Sequence, residues 1–266
     1  MRRGRAGLAS QRQSDVRFAI ASCVVLAVYN NLAGMLPWHH RRYTLLNVCA
    51  TGAALGAAAA SGLTATDLGL GRGQLRPGLR LGSAAAVAAA GGWVVIAAVP
   101  AARPALADER IAGLSGRAVA YQVLVRIPLG TVLWEETAFR GVLQAALCRV
   151  MPGAAAVAVT NAVFGIWHIG PTAGALRING LADRPAKILA GVTAGVAATA
   201  AGGVLLSWLR ARSGSLAAPM LLHAATNSLG ALAAWAITRP DGHGPGPVAG
   251  NADEPPGRAH RTPNRS

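Results

Sequence analysis

The stretch LWEETAFRG at residues 133–141 places two adjacent carboxylates and an arginine inside an otherwise apolar run. The chain has 10 acidic residues, and eight of them fall in predicted tails or connecting loops, leaving only Glu135 and Glu136 inside an apolar segment. Ionisable groups at the depth of a bilayer are costly and are usually functional. We therefore expect the function of the chain to depend on Glu135, Glu136 and Arg140.

The composition around this stretch indicates a membrane protein. Of the 266 residues, 53% are hydrophobic and 13% are charged, whereas about 25% are charged in a typical soluble domain. The apolar residues form blocks long enough for membrane-spanning helices, which predicts an all-α, polytopic helical membrane protein with about seven to eight transmembrane helices. Abundant alanine, and arginine in place of lysine, are typical of a GC-rich coding sequence, and we expect a bacterial plasma membrane.

The pattern of apolar blocks divides the chain into four predicted regions. These are a basic N-terminal tail at 1–15, N-terminal transmembrane helices with their connections at 16–117, a membrane core at 118–237, and a disordered Pro/Gly-rich tail at 238–266. Within the long segment 118–149, Pro128 is expected to break or kink the helix. Loops are expected at 64–78, 101–117 and 170–187. The predicted spans are 16–37, 43–63, 79–100, 118–149, 154–169, 188–209 and 214–237.

The net charge of +15 is spread over tails and loops without a basic stripe, so we expect no nucleic-acid partner. Anionic membrane lipid is the expected partner of such a basic surface. With seven alternating spans, the segments on the N-terminal side hold 11 Lys and Arg residues and those on the other side hold 8, leaving out the C-terminal tail. This asymmetry favours a cytoplasmic N-terminus.

The three charges of the opening stretch separate into a pair and a single carboxylate. Glu136 and Arg140 are four residues apart in the acid-first order that favours pairing on one helix face. Glu135 points in another direction, and Phe139, four residues further on, keeps its surroundings apolar. Such surroundings suit Glu135 to act as a general base near neutral pH. A purely structural Glu–Arg pair between helices would explain Glu136 and Arg140, but it would leave Glu135 unexplained.

Two further stretches place polar residues in apolar segments. His168 follows Phe164 at the end of a predicted span, and His223 and Asn227 share one face of the last span. Hydrogen bonds between helices would be a structural explanation. Because consecutive spans alternate in direction, however, we expect these three polar side chains and Glu135 to converge in one cavity that opens to one side of the membrane.

A cavity of this composition is suited to hydrolysis. Glu135 and His168 could activate a water molecule, while His223 and Asn227 could stabilise a developing oxyanion. Alternatively, Glu135, His168 and His223 could hold a zinc ion with an open coordination position, so zinc is a possible cofactor. The sequence has no HExxH motif, which excludes the usual arrangement of zinc peptidases.

The motifs EExxxR (Glu135–Arg140), FxxxH (Phe164–His168) and HxxxN (His223–Asn227), in this order on separate helices, resemble the CPBP family. This family comprises CAAX-type intramembrane endopeptidases and the bacteriocin-processing and self-immunity proteins of the Abi-domain group. The resemblance covers residues 118–237, and no motif residue departs from the pattern.

The resemblance implies an intramembrane endopeptidase that hydrolyses a peptide bond of a membrane-associated protein or peptide substrate. It implies that Glu135 activates water together with His168, and that His223 and Asn227 form the oxyanion side. Both zinc-dependent and metal-free mechanisms are open for the family. Phe139 and Phe164 are candidates for substrate contact. The implied catalytic residues are Glu135, Glu136, Arg140, His168, His223 and Asn227.

Two other functions are compatible with the sequence. The first is a non-enzymatic bacteriocin self-immunity or regulatory membrane protein on the same fold, in which Glu135 and His168 would be dispensable. The second is a proton-coupled carrier that uses Glu135 as a relay. The absence of an internal repeat in the sequence argues against an inverted-repeat transporter.

Overall fold

The computed structural model describes residues 2–33 and 36–238, and within these ranges the chain folds into eight longer helices and several short ones. The short elements lie between the longer helices, at Pro37–Arg41, Pro100–Ala102, Arg103–Leu106 and Glu109–Ala112. The longer helices are α1 (Arg2–Ala33), α2 (Tyr43–Ala60), α3 (Arg72–Ala98), α4 (residues 116–148), α5 (Gly153–Trp167), α6 (Ile169–Ile178), α7 (Pro185–Ser213) and α8 (Ala217–Thr238).

Six helical segments of the described chain are long and apolar enough to cross a membrane. One of them combines α5 and α6, and the charged helix α4 is not among the six. The prediction of an all-helical, polytopic membrane protein is confirmed. The six segments are Leu8–Leu32, Tyr43–Ala60, Arg72–Ala98, Gly153–Ile178, Pro185–Ser213 and Ala217–Thr238.

Helix α4 carries the charged stretch and alternates between α- and π-helical turns. The π-helical parts are Gln122–Val132 and Thr137–Leu143, with the α-helical turn Leu133–Glu136 between them. The expected interruption at Pro128 does not occur. Proline has no N–H and its ring clashes with the carbonyl four residues earlier in an α-helix. The wider π-helical spacing, in which Leu133 N–H donates to Pro128 O, continues the helix through this position.

Neighbouring helices supply hydrogen bonds to the carbonyl groups of the first π-helical part. Asn47 of α2 donates its side-chain amide to Gly130 O at 2.7 Å, and Ser228 of α8 donates its hydroxyl to Val123 O at 2.9 Å. Helix α4 is thus held from two sides in its unusual geometry. π-Helical turns are rare and are often found at functional sites.

The core of the molecule lies around the second half of α4. Buried apolar residues of this half pack against α5, and further buried positions on α1 and α2 complete the cluster. The half of α4 that carries Glu135, Glu136 and Arg140 is therefore the most enclosed part of the described chain. The α4 members of the cluster are Trp134, Ala138, Phe139, Val142, Leu143, Ala146 and Leu147.

Three predicted boundaries were wrong. Helix α1 begins at Arg2, so residues 2–15 are helical, because Ala, Leu, Arg and Gln in this segment are good helix formers. Helix α3 begins at Arg72, where the side chain of Gln74 accepts a hydrogen bond from Gly71 N–H at 2.8 Å and caps the first turn.

The third wrong boundary is that of the predicted loop at 170–187. Residues 169–178 instead form α6, because Pro171 falls in the first helical turn, where a missing N–H has no cost. The predicted loop at 101–117 contains short helical turns. The predicted disordered tail lies outside the described residues except for Thr238, which ends α8.

Candidate active site

Glu136 and Arg140 form the buried ion pair that their spacing predicts. Arg140 Nη1 donates to Glu136 Oε1 at 3.2 Å, and both side chains are fully buried. Arg140 Nη2 also donates to Asn161 Oδ1 of α5 at 3.3 Å. Asn161 is held in turn by Ser207 of α7, to which its side-chain amide donates at 3.2 Å. The pair therefore joins α4, α5 and α7, and its prediction is confirmed.

His223 of α8 extends this network toward the second carboxylate. Its Nδ1 lies 2.7 Å from Glu136 Oε1. An ionised carboxylate can only accept, so Nδ1 donates this hydrogen bond and the neutral imidazole has its lone pair on Nε2. His223 Nε2 lies 3.9 Å from Glu135 Oε2. Glu136 therefore fixes both the orientation and the tautomer of His223, so that Nε2 points to Glu135.

Glu135 is held by a residue to which the sequence assigned no polar role. Trp167 Nε1 donates to Glu135 Oε1 at 3.1 Å, and the indole is 1% exposed. The Trp167 ring stacks on Tyr29 of α1, with centroids 5.8 Å apart. The other oxygen of Glu135, Oε2, is buried and accepts no hydrogen bond from the described residues. One oxygen of Glu135 is thus anchored, and the other faces His223.

His168 lies at the edge of this cluster, where the chain passes from α5 to α6. Its Nδ1 is 2.7 Å from Phe164 O and donates to that carbonyl. The Phe164 ring lies 4.6 Å from the His168 ring and 6.4 Å from the His223 ring, between the two imidazoles. Among the described residues, His168 makes no hydrogen bond to Glu135, and its joint action with Glu135 stays a prediction. Asn227 lies one turn beyond His223 and is half-buried.

The two phenylalanines of the motifs build the wall behind the charged groups. Phe139 and Phe164 pack edge to face with centroids 5.0 Å apart, and both are almost completely buried. The Arg140 guanidinium lies 4.0 Å from the centroid of the Phe164 ring. This cation–π contact further stabilises a buried cation. Contact of these two rings with a substrate stays a prediction.

The possible zinc ligands do not converge. Glu135, His168 and His223 would have to direct three donor atoms at one point, about 2.0–2.2 Å from a zinc ion. In the described residues, no group of three His, Cys, Asp or Glu side chains is arranged to hold a metal ion. Nδ1 of each histidine is hydrogen-bonded within the protein, to Phe164 O and Glu136 respectively, which leaves only Nε2 of each ring as a possible ligand. Because the three donors do not meet at one point, these residues do not fit a zinc site in this arrangement.

Sequence reasoning missed Trp167, Asn161 and Tyr29. Trp167 directly precedes His168, and Asn161 lies one turn before Phe164, so both fall in the motif segment of α5. A polar atom in an apolar helix was the available signal for Asn161. For Trp167 the signal was weaker, because an indole in a membrane helix more often packs or faces lipid.

Comparison with protein families identifies the segment that contains these residues. Residues 118–229 match the family described as Type II CAAX prenyl endopeptidase Rce1-like. The chain carries an Rce1-like domain. The resemblance to the CPBP and Abi group is thereby confirmed. The Rce1-like domain begins in the first turn of α4 and ends within α8, so it contains all three motifs. Searches of curated proteins and of solved structures found no match.

Proposed function

We propose that the chain is an intramembrane endopeptidase that hydrolyses a peptide bond with a water molecule activated by Glu135. The observation that supports this proposal most directly is the 3.9 Å separation between Glu135 Oε2 and His223 Nε2. It is too long for a direct hydrogen bond, and both atoms are acceptors when the His223 imidazole is neutral. A water molecule can donate one proton to each, and polar atoms at such distances are often bridged in this way.

The reaction that follows needs no group beyond these residues and water. The water oxygen attacks the substrate carbonyl carbon while Glu135 Oε2 takes its proton, which forms a tetrahedral oxyanion. Glu135 then donates that proton to the amide nitrogen as the oxyanion collapses and the C–N bond breaks, which releases a carboxylic acid and an amine. We propose that Asn227, one turn from His223, donates to the oxyanion. His168 is a second candidate for this contact.

Glu136 and Arg140 support this chemistry without contacting the substrate. Arg140 neutralises Glu136 in a fully buried position, and Glu136 orients His223. An imidazole whose second nitrogen is held by a carboxylate is a familiar arrangement in hydrolases. These two residues are therefore positioning residues in the proposed mechanism.

The substrate is proposed to be a peptide segment anchored in the membrane, since the six candidate spans place the site in an integral membrane protein. The family description suggests a prenylated CAAX sequence as one candidate substrate. We propose a bacterial plasma membrane as the location.

The purified chain in detergent should be incubated with a library of membrane-anchored peptides, of which half end in a prenylated CAAX sequence. Mass spectrometry should find fragments that the wild type produces and Glu135→Gln does not. Glu109→Gln, which changes an exposed carboxylate at the start of the short helix Glu109–Ala112, is the matched control and should cleave like the wild type.

Two results would contradict the proposal. The first is the absence of any fragment specific to the wild type, which would favour the non-enzymatic immunity or regulatory function. The second is a complete loss of cleavage in chelator that zinc restores, because the mechanism above contains no metal step.

A further inference from the structure

A basic cleft lies between the beginning of α3 and the end of α7, away from the charged network of α4. It has a volume of about 780 Å³ and is lined by three arginines, Arg76, Arg80 and Arg212. None of the three pairs with a carboxylate in the described part of the chain. The cleft therefore has three uncompensated positive charges in one place.

Two of these arginines lie where their charges are unfavourable as long as no anion is bound. Arg72, Arg76 and Arg80 follow one another at intervals of four residues, and like charges at this spacing on a helix repel each other. An anion in the cleft would relieve this repulsion.

The cleft changes from charged to apolar along the direction in which a lipid lies. Arg72 and Ser213 are the ends of two candidate spans, so the arginines lie at the level of the headgroups. Deeper in the membrane, Leu81 and Ala84 of α3 and Trp208 of α7 line the same cleft. Tryptophan is enriched at this boundary between headgroups and acyl chains.

We propose that this cleft binds the headgroup of an anionic phospholipid. The phosphate lies between Arg76, Arg80 and Arg212, whose guanidinium groups match phosphate oxygens in geometry and charge. An acyl chain passes along Leu81 and Ala84 beside the Trp208 ring. Basic pockets between transmembrane helices bind anionic headgroups in this way. The proposal concerns lipid binding and does not depend on peptidase activity.

The test is equilibrium binding of a fluorescent dioctanoyl-phosphatidylglycerol to the purified full chain in neutral detergent, measured by anisotropy. Arg76→Gln/Arg80→Gln should weaken binding about tenfold or more, because two charge-assisted contacts are lost. Arg12→Gln/Arg17→Gln is the matched control and should change the affinity by less than about twofold if only long-range attraction is affected.

The control removes the same charge from the same side of the membrane. Arg12 and Arg17 are exposed on either side of Asp15 in α1. Asp15 lies 3.5 Å from Arg149, which also donates to Ser61 O in the connection before α3. Equal weakening by the two double variants would show a general electrostatic attraction and would overturn the proposal.

Competition on the wild type makes the result independent of any folding defect in the variants. Unlabelled dioctanoyl-phosphatidylglycerol should displace the probe, whereas the matching phosphatidylcholine and inorganic phosphate at equal concentration should not. Displacement by phosphatidylcholine would remove the requirement for an anionic lipid. Equal displacement by inorganic phosphate would assign the cleft to free phosphate and would overturn the lipid assignment.

Discussion

Glu135 and Glu136 are neighbours in the sequence, yet the structure gives them different surroundings. Glu136 accepts hydrogen bonds from Arg140 and His223 through the same oxygen, Oε1. Glu135 has one oxygen bound to Trp167 and the other directed at His223. The partners make Glu136 a fixed structural anion and leave Glu135 with an oxygen available for chemistry.

Replacement of Trp167 by phenylalanine should reduce activity more than stability. The indole N–H donates to Glu135 Oε1 and thereby orients the carboxylate that is proposed to act as the base. We expect kcat of Trp167→Phe to fall about tenfold or more. The measurement is steady-state cleavage together with the thermal unfolding midpoint.

Trp134→Phe is the matched control for this prediction. Trp134 is also buried and lies 6.2 Å from Trp167 between ring centroids, but its Nε1 has no hydrogen-bond partner among the described residues. The Trp134→Phe variant should therefore lose only packing contacts and retain most of the wild-type activity. Equal activity losses in the two variants would show that the hydrogen bond to Glu135 does not matter.

At the scale of helices, the spacing of charges predicted contacts within α4 but not contacts between elements. The Glu136–Arg140 pair follows from helical periodicity alone. The contacts of Asn161 with Arg140 and of Trp167 with Glu135 require the packing of α5 against α4, which no local pattern encodes. Likewise, the π-helical turns of α4 are stabilised by donors on α2 and α8, so the sequence around Pro128 predicted only a break or a kink.

The start of two helices was mispredicted for a related reason. Residues 2–15 and 72–78 are polar and basic, and such polarity is typical of a tail or loop. Their composition nevertheless supports helices that extend beyond the membrane-spanning part. The family resemblance could be recognised from the sequence because each motif lies within a few consecutive residues. The hydrogen bonds that organise the site instead join residues on different helices.

Helix α7 approaches the site at Gly203, and this approach gives a test at the element scale. A Cβ atom there would lie 2.5 Å from Asn161 Oδ1 and 2.7 Å from Arg140 Nη2. Gly203→Ala should displace the Asn161–Arg140 hydrogen bond, destabilise the protein by about 1–3 kcal/mol, and reduce activity. Thermal unfolding and cleavage assays measure both effects.

The adjacent Gly202 provides the control, since a Cβ atom at this position meets nothing within 4 Å. Gly202→Ala should be neutral or slightly stabilising, because alanine favours the helix over glycine. If both variants behaved alike, close packing of α7 against the Glu136–Arg140 pair would not be the cause of the losses in Gly203→Ala.

At the scale of the whole molecule, the described contacts assign the segments that connect the helices to two sides of the membrane. Arg149 at the end of α4 donates to Ser61 O, and Arg210 near the end of α7 donates to Asp67 O. On the opposite side, Glu109 N–H donates to Asn179 of the connection after α6. The side that carries Asp67 is the N-terminal side, which has the excess of basic residues.

We predict that this side is cytoplasmic. In a variant without the natural cysteines, Asp67→Cys should react with a membrane-impermeant maleimide only after cells are permeabilised. Asp183→Cys, which lies in the connection between α6 and α7, should react in intact cells. The reverse labelling pattern would place the N-terminal side outside.

The central claim is that Glu135 Oε2 activates the attacking water. The most direct measurement is the cleavage rate of Glu135→Gln relative to the wild type, with thermal unfolding recorded for both proteins. Glutamine preserves the size of the side chain and can still accept a hydrogen bond from Trp167, but it cannot take the proton of the attacking water. A reduction of kcat by about 10²–10⁴-fold at an unchanged unfolding midpoint is the predicted result. A folded Glu135→Gln variant that cleaves at the wild-type rate would contradict the account.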